Sequence, residues 1–384
     1  MKVVLTKKAL SEALSLVGGT MASSGGDLSS HYLFRAPPGN GGKSLEILSF
    51  LGSVRSGSPV EATVHAEDQE AFTIEGKRLK RWLSSLPDME IELEFNGKVV
   101  SAFAPGKGYQ KFQSLDPSKF PYWDADIKIA KPTAKFSAER WASAIHYATA
   151  FTSDQETREP QLCVCEAKEG ALSATDKVSI VKIYMHGMDG DCRVRIHRND
   201  SPKIISFLSG YDGEVELREF DRGIFFVRDD NAIFGEARFQ ADHPEYTPIT
   251  NDYEFVWELN KEQLKKNILF LTAGAAWDDH RLQFSREDAG SPLLMSMRVI
   301  NGEVSTVPIE ERGTEGNTGT DPKKFSISHL ALSKLISLSE GDTLRLGVNR
   351  KSKTGGFVRN SFERFGDENG DNADRYLTTF VFLI

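Results

Sequence analysis

Cysteine is nearly absent. The 384 residues contain three, Cys163, Cys165 and Cys192, too few for a disulfide framework and without the paired spacing of a structural zinc site. A reducing compartment is the expectation. No apolar run approaches the ~18 residues needed to cross a bilayer. The opening Met1-Lys2-Val3-Val4-Leu5, followed by Lys7-Lys8, has no secretory hydrophobic region, so a cytoplasmic protein with no membrane contact is expected. An excess of positive charge is missing too. Lys and Arg number 47 against 55 Asp and Glu, a net −8, which excludes a uniformly basic wrapper of nucleic acid but allows a local basic surface. With 39% hydrophobic and 27% charged residues, the composition is that of a folded protein, and the length suits two to three domains.

Recognisable catalytic motifs are also lacking. The run Gly39-Asn40-Gly41-Gly42-Lys43-Ser44 would put the first glycine of a phosphate-binding loop at Pro37, and the next segment alternates like a strand instead of opening a helix. Cys163 and Cys165 lie in an apolar strand with no histidine at ligand spacing, so they read as buried thiols. Asp367 to Asp374 lacks a glycine at the place an EF-hand calcium loop requires one and reads as a solvated turn. The eight histidines are scattered, His146 on a helix and His243 near a proline among them. No catalytic residue, metal or cofactor is assigned.

What the chain does contain is an internal repeat. In residues 78 to 95 an apolar helical stripe, Leu79, Trp82, Leu83 and Leu86, precedes Pro87-Asp88 and the alternating Ile91, Leu93 and Phe95. Ile204, Phe207, Leu208 and Tyr211 take the same places 125 residues on, before Asp212-Gly213 and Val215, Leu217 and Phe220. Leu332, Leu335 and Ile336 do so again, before Glu340-Gly341-Asp342 and Leu344 and Leu346. Ahead of each lies another amphipathic helix, marked by Leu10, Leu14 and Val17, by Trp141, Ile145 and Ala148, and by Leu264, Ile268 and Leu271. Each is introduced by a strand: Val3 to Leu5, Ala134 to Phe136 and Phe255 to Leu259. Phe120-Pro121-Tyr122 and His243-Pro244-Glu245-Tyr246 close the first two units 123 residues apart. Three α+β domains follow, 1–128, 129–250 and 251–384, each with two helices on antiparallel sheets. Breaks are expected near Asp124 to Pro132 and Pro248 to Asp252, and loops at Ala36 to Gly42 and Glu311 to Thr320.

Charge divides with the repeat. The six segments expected to be helical, 7–17, 76–86, 137–150, 193–203, 260–272 and 323–338, sum to +13, leaving −21 on everything else. A basic helical layer beside acidic sheets and loops suits a molecule that offers one face to a polyanion.

The whole chain resembles the bacterial-type β sliding clamp, the processivity factor of a replicative DNA polymerase. The resemblance rests on the three repeats, Leu86-Pro87-Asp88, Phe120-Pro121, Ala174-Thr175-Asp176, Pro244 with Tyr246, and the apolar final strand from Leu377 to Ile384. It implies a non-enzymatic homodimer, a ring of six domains around double-stranded DNA that is gripped without regard to sequence. The first domain of one chain would meet the third of the other. DNA-facing roles fall on Lys77, Arg78, Lys80 and Arg81, and further on Arg198, Lys203, Lys265, Lys266, Lys323, Lys324 and Lys334. A pocket for a short linear peptide of the DNA polymerase, the clamp loader and other proteins with a clamp-binding motif is implied at Thr175, Ile180, Pro244, Ile249, Phe380, Val381 and Phe382.

The sequence departs from the family in places. Lys177-Val178-Ser179-Ile180 stands where Gly-His-Arg-Leu is usual, and Pro248 where Arg is common, which implies a changed peptide preference. Ala273 and Gly274 stand where large apolar residues close the ring, which implies a weaker dimer. Such divergence suits a clamp carried by a phage or mobile element. The alternative reading is an unrelated α+β repeat protein, an enzyme with a site between domains.

Overall fold

The computed structural model describes the chain except residues 24, 38–40, 67–69, 189–191, 238–254, 276–280, 288–290, 301, 317–323, 353–354, 367–371 and 384. For strand residues 255, 314–316, 349–352, 355–362 and 380–383 it describes the backbone alone. Three successive units share one order of elements. The first runs β1 (Lys2–Thr6), α1 (Lys7–Val17), β2 (His31–Arg35), β3 (Ser44–Leu51), β4 (Val54–Glu61), β5 (Thr63–His65), β6 (Ala71–Glu75), α2 (Gly76–Ser84), β7 (Glu90–Phe95), β8 (Val99–Ala104) and β9 (Gly108–Gln113). After a short helix α3 (Asp124–Ile129), the second runs β10 (Lys131–Ser137), α4 (Ala138–Thr149), β11 (Val164–Lys168), β12 (Ala171–Thr175), β13 (Ser179–Tyr184), β14 (Val194–His197), α5 (Ser201–Leu208), β15 (Glu214–Phe220), β16 (Gly223–Arg228) and β17 (Ile233–Ala237). The third runs β18 (Phe255–Asn260), α6 (Lys261–Ala273), β19 (Arg281–Ser285), β20 (Leu293–Arg298), β21 (Val304–Ile309), β22 (Glu311–Gly316), β23 (Lys324–Ser328), α7 (His329–Leu338), β24 (Thr343–Ser352), β25 (Gly355–Arg364) and β26 (Asp374–Leu383).

The repeat read from sequence is also a repeat of strand register. In each unit the opening strand pairs antiparallel with the strand that follows the second helix. Val3 and Leu5 lie opposite Leu93 and Ile91, Ala134 and Phe136 opposite Leu217 and Val215, and Trp257 and Leu259 opposite Leu346 and Leu344. Residues two apart share a sheet face, so the same alternation delivers the same apolar face to the helices three times. Leu10, Leu14 and Val17 of α1 and Leu79 and Leu83 of α2 close the first core over that face. Trp141 fills the second, its ring edge-on to Phe226 at 5.6 Å and its indole N–H donating to the Val215 carbonyl at 3.2 Å. Trp257 fills the third, stacked on Phe325 at 5.2 Å.

By Cα proximity the chain groups into two compact units, Met1–His146 with Met188–Gln240, and Tyr147–Gly187 with Ala241–Ile384. The second repeat is divided between them because its two strand sets serve different sheets. In the first unit β10-β15-β16-β17 continues through β4 into β3, β2 and β6, an eight-stranded sheet. In the second, β11-β12-β13 continues through β26 into β25, β24, β18 and β22. Sheet pairing therefore joins neighbouring repeats by backbone hydrogen bonds, β17 to β4 and β26 to β13.

Four sequence expectations are corrected. Residues 193–203 are not helical throughout. Val194 and Ile196 alternate in β14, and the helix starts at Ser201, where Pro202 supplies a preset φ and needs no amide partner. Lys324 opens a strand, so α7 carries only Lys334 as a cation. The six repeat helices consequently sum to +9, not +13, and the basic excess concentrates on α2, which alone carries +4. The break expected at Asp124 to Pro132 contains helix α3. Of the loop expected at Glu311 to Thr320, Glu311 to Gly316 form strand β22 along the edge of β18.

One buried acid makes stability depend on pH. Glu236, 3% exposed, accepts from the His197 amide at 2.9 Å. Burial, reinforced by Asp200 and only partly opposed by Lys203, holds its carboxyl pKa well above the usual range. A carboxyl whose pKa is raised by folding costs nothing below its unfolded pKa and costs progressively more as pH rises above it. Glu236→Gln, which keeps the acceptor oxygen, is expected to raise the Tm, and by more at pH 8 than at pH 5. Calorimetry at the two values checks this.

Candidate nucleic-acid face and partner pocket

Helix α2 is the strongest candidate for polyanion contact. Gly76, Leu79 and Leu83 are buried at positions i, i+3 and i+7, which leaves Lys77, Arg78, Lys80 and Arg81 on the exposed arc. The first helical position must be glycine, because a Cβ at Gly76 would lie 2.4 Å from the Met21 methyl group and 2.9 Å from the Tyr32 ring. No acid sits on α2, and among the described residues none of the four cations forms an ion pair. Arg78 lies 5.9 Å from the centre of the Phe112 ring and Lys80 5.7 Å from that of Tyr32. Burial of the Lys80 stem lowers its ammonium pKa. Beside it, Lys7, Ser11, Ser15 and Ser84 complete a cavity of about 280 Å³ between α1 and α2. Two ammonium groups with three hydroxyls suit a phosphate oxygen better than a base edge. Lys7 is absent from the set drawn from sequence; the Lys7-Lys8 pair at the start of α1 was its only signal.

The remaining predicted cations are placed less uniformly. Arg198 lies in the turn between β14 and α5, half-buried. Lys203 pairs with Asp200 at 2.6 Å and Lys265 with Glu262 at 2.7 Å, so their charge is partly cancelled. Lys266 is exposed on α6 and Lys324 exposed at the start of β23. Lys334 points to the hairpin between β12 and β13: its ammonium is 3.9 Å from an Asp176 carboxylate oxygen and 4.2 Å from the centre of the Phe151 ring. Lys323 lies outside the described residues.

Of the expected partner pocket, Thr175, Ile180 and the backbone of Phe380 are brought together. Ser179 pairs with Phe380 and Ile180 with Thr379, so the start of β13 abuts the end of β26. Ile180 is half-exposed and Val178 61% exposed, an apolar rim beside buried Thr175. Val381 and Phe382 continue β26 opposite Phe357 and Gly356. The side chains of Phe380, Val381 and Phe382, and all of Pro244 and Ile249, lie outside the described residues, as do His243, Tyr246 and Pro248. The turn between the strands explains the departure at residue 177. Lys177 has φ +74°, a left-handed conformation that favours glycine. Asp176 offsets that strain by accepting from the amides of Val178 at 3.1 Å and Ser179 at 2.7 Å and from the Ser179 hydroxyl at 2.8 Å. Lys177 also pairs with Glu159.

Among the outermost strands of the four sheets, two concern the ends of the chain's repeats. The order β5-β1-β7-β8-β9 leaves β9 outermost, and β21-β20-β19-β23 leaves β21 outermost. Apolar side chains gather at both. Phe103 and Tyr109 are 44% and 69% exposed on β8 and β9, and Val304 is 63% exposed on β21. Helix α6 is tied to that edge by the Asn267 amide, which donates to the Pro308 carbonyl at 3.0 Å, and it presents Leu269 and Phe270, 71% and 66% exposed. These two residues stand one turn before Ala273 and Gly274. Sequence reading passed over Leu269 and Phe270 because they fall outside the buried stripe of Leu264, Ile268 and Leu271.

No protein-family model and no curated protein is matched by the sequence. Solved structures are matched over its full length. The DNA polymerase III subunit beta of Pseudomonas aeruginosa is 15% identical with a TM-score of 0.77, covering 100% of both chains. The DNA polymerase sliding clamp of Bacillus subtilis is 14% identical with a TM-score of 0.80, covering 100% of this chain and 99% of that one. The beta subunit from the DNA polymerase of Streptococcus pyogenes is 12% identical with a TM-score of 0.81 over the same shares. The likeness establishes the fold: helices on antiparallel sheets in the three-domain architecture of the sliding clamps. Among the described residues no cluster of side chains suits a metal ion, and no helix is long and apolar enough to cross a membrane.

Proposed function

We propose that this protein is a non-enzymatic sliding clamp that encircles duplex DNA in the cytoplasm and tethers a replicative polymerase. The observation that carries the reading is the acid-free cationic arc of α2 in a chain with this fold from end to end. Lys and Arg contacts to phosphate, without base readout, permit sliding. Retention on nicked circular against linear duplex DNA tests it. A clamp loaded by a clamp loader stays on circles and runs off open ends, whereas equal loss from both would overturn the reading.

Ring closure follows from the sheet edges. The last strand of each later repeat pairs with the third strand of the preceding repeat's first set, β17 with β4 and β26 with β13. The same operation leaves β9 of one chain to pair with β21 of a second. Two chains with domains 1–128, 129–250 and 251–384 then close a homodimer of six domains, head to tail. Phe103, Tyr109, Leu269, Phe270 and Val304 would be covered at each join.

Partner proteins would insert one or two large side chains of an extended motif beside Thr175, Ile180, Pro244, Ile249 and the Phe380-Val381-Phe382 strand. Ile180→Ala with Phe382→Ala is expected to weaken a polymerase or loader peptide by at least about tenfold, since each truncation removes ~1.5–3 kcal/mol of apolar contact where the side chain is fully covered. Isothermal titration checks this, with sedimentation confirming that the variant still dimerises.

A further inference from the structure

A second pocket lies where the first two repeats join, on the sheet face opposite the helices. It encloses about 210 Å³ between β4, α3 and the hairpin of β15 and β16, and is lined by Arg55, Trp123, Asp126, Phe220, Arg222 and Phe225. Trp123 and Phe225 are buried and meet edge-on at 5.9 Å, forming an aromatic floor. Arg55 stands opposite Gly235 in the β4–β17 pairing. Gly235 has no side chain to fill the space, and a Cβ there would lie 2.7 Å from the Phe225 ring.

The charges in this pocket are unbalanced. Asp126 is engaged by Arg222, Nη2 to Oδ1 at 2.8 Å. Arg55 is half-buried, donates to the Tyr122 carbonyl at 3.2 Å and forms no ion pair among the described residues. Burial, more than the neighbouring Arg222, lowers its pKa against the opposing pull of Asp126. Glu236 does not supply the missing charge. Strand alternation turns its side chain to the opposite face, where it meets the His197 amide. A partly desolvated guanidinium lining one pocket with aromatic rings, with one positive charge in excess, calls for a carboxylate next to an apolar group. The volume is below the ~300 Å³ at which sites for free small molecules begin, and it suits a single anchoring side chain.

We propose that the junction of the first two repeats is a second peptide-docking site, which takes an acidic residue on Arg55 and an adjacent aromatic or aliphatic side chain over Trp123 and Phe225. Pro121 precedes the pocket as Pro244 would precede the pocket of the second junction, 123 residues later. The two sites differ in chemistry, with Arg55 near the start of β4 where Ile180 stands near the start of β13. The proposal rests on this pocket alone and does not require the clamp reading.

Fluorescence anisotropy of the full chain with two labelled hexapeptides tests it. One has Phe and Leu flanked by Glu, the other the same residues flanked by Lys. The Glu peptide is expected to bind at least about tenfold more tightly than the Lys peptide. Measured in the Ile180→Ala background, which weakens the second junction, Arg55→Glu should abolish or reverse that preference, and the milder Arg55→Gln should weaken the Glu peptide at least about fivefold. Circular dichroism establishes that each variant is folded, and Arg55→Gln decides should Arg55→Glu fail to fold. Equal affinity for the two peptides, or binding that ignores Arg55, overturns the proposal. So does loss of binding in Ile180→Ala, which would move the peptide to the second junction, or displacement by millimolar inorganic phosphate, which would mark a bare anion site.

Discussion

Glutamate at both Leu269 and Phe270 is expected to leave this protein as single chains in sedimentation at concentrations where the unaltered protein is a dimer. The two side chains stand 71% and 66% exposed on α6 beside the open edge of β21. Covering a large apolar side chain contributes ~1.5–3 kcal/mol, and burying an unpaired carboxylate in its place costs several more. Each join would therefore lose at least about a hundredfold in affinity. The substitutions face away from the Leu264, Ile268 and Leu271 stripe, so unfolding by denaturant should be little altered once the comparison is made between monomers. A dimer unchanged by both charges would refute the pairing of β9 with β21.

Neutralising Lys77, Arg78, Lys80 and Arg81 together to Gln is the second large effect. Retention on nicked circular DNA should fall sharply. The slope of log affinity against log salt should decrease by up to about 0.9 for each phosphate contact removed. Because the four side chains occupy the exposed arc and none is held in an ion pair among the described residues, removing their charge costs the fold only the ring contacts of Arg78 and Lys80. Sequence preference should not change, since contacts to phosphate carry no base readout. Retention on circles and salt slope both equal to those of the unaltered protein would exclude α2 as the DNA face.

Much of this architecture was legible before any coordinates, because it is periodic. A stripe such as Leu79, Leu83 and Leu86 and an alternation such as Ile91 and Leu93 are local, and finding each three times separates signal from coincidence. Register followed, since the apolar pair in each opening strand meets the apolar pair after the second helix. The misreadings fell where local signals compete. In 193 to 203 a run of Arg and Lys was counted as helix although Val194 and Ile196 alternate, and Pro202 fixed the start further on. The direction of Lys334 was not legible either, because which way a lysine on a partly covered helix points depends on what packs beside it, here Asp176 and Phe151. The pocket at Arg55 was invisible for a similar reason. Its parts come from β4, α3, β15 and β17, and no spacing along the chain connects them.

The positive φ of Lys177 shows how a turn can change its letters and keep its shape. Where Asp176 supplies three acceptor bonds, the residue after it need not be glycine, and its side chain is available for an ion pair, here with Glu159. The open edges have a different consequence, for mixed populations. Backbone groups on β9 and β21 are the same in any chain of this fold, so hydrogen bonding alone cannot tell a like subunit from a foreign one. Where two such proteins are made in one cell, sorting into pure rings has to be enforced by the side chains at the join. In the proposed join, Phe103 and Tyr109 would face Leu269, Phe270 and Val304, all exposed in the single chain, and self-recognition, with exclusion of the other clamp, would depend on that patch.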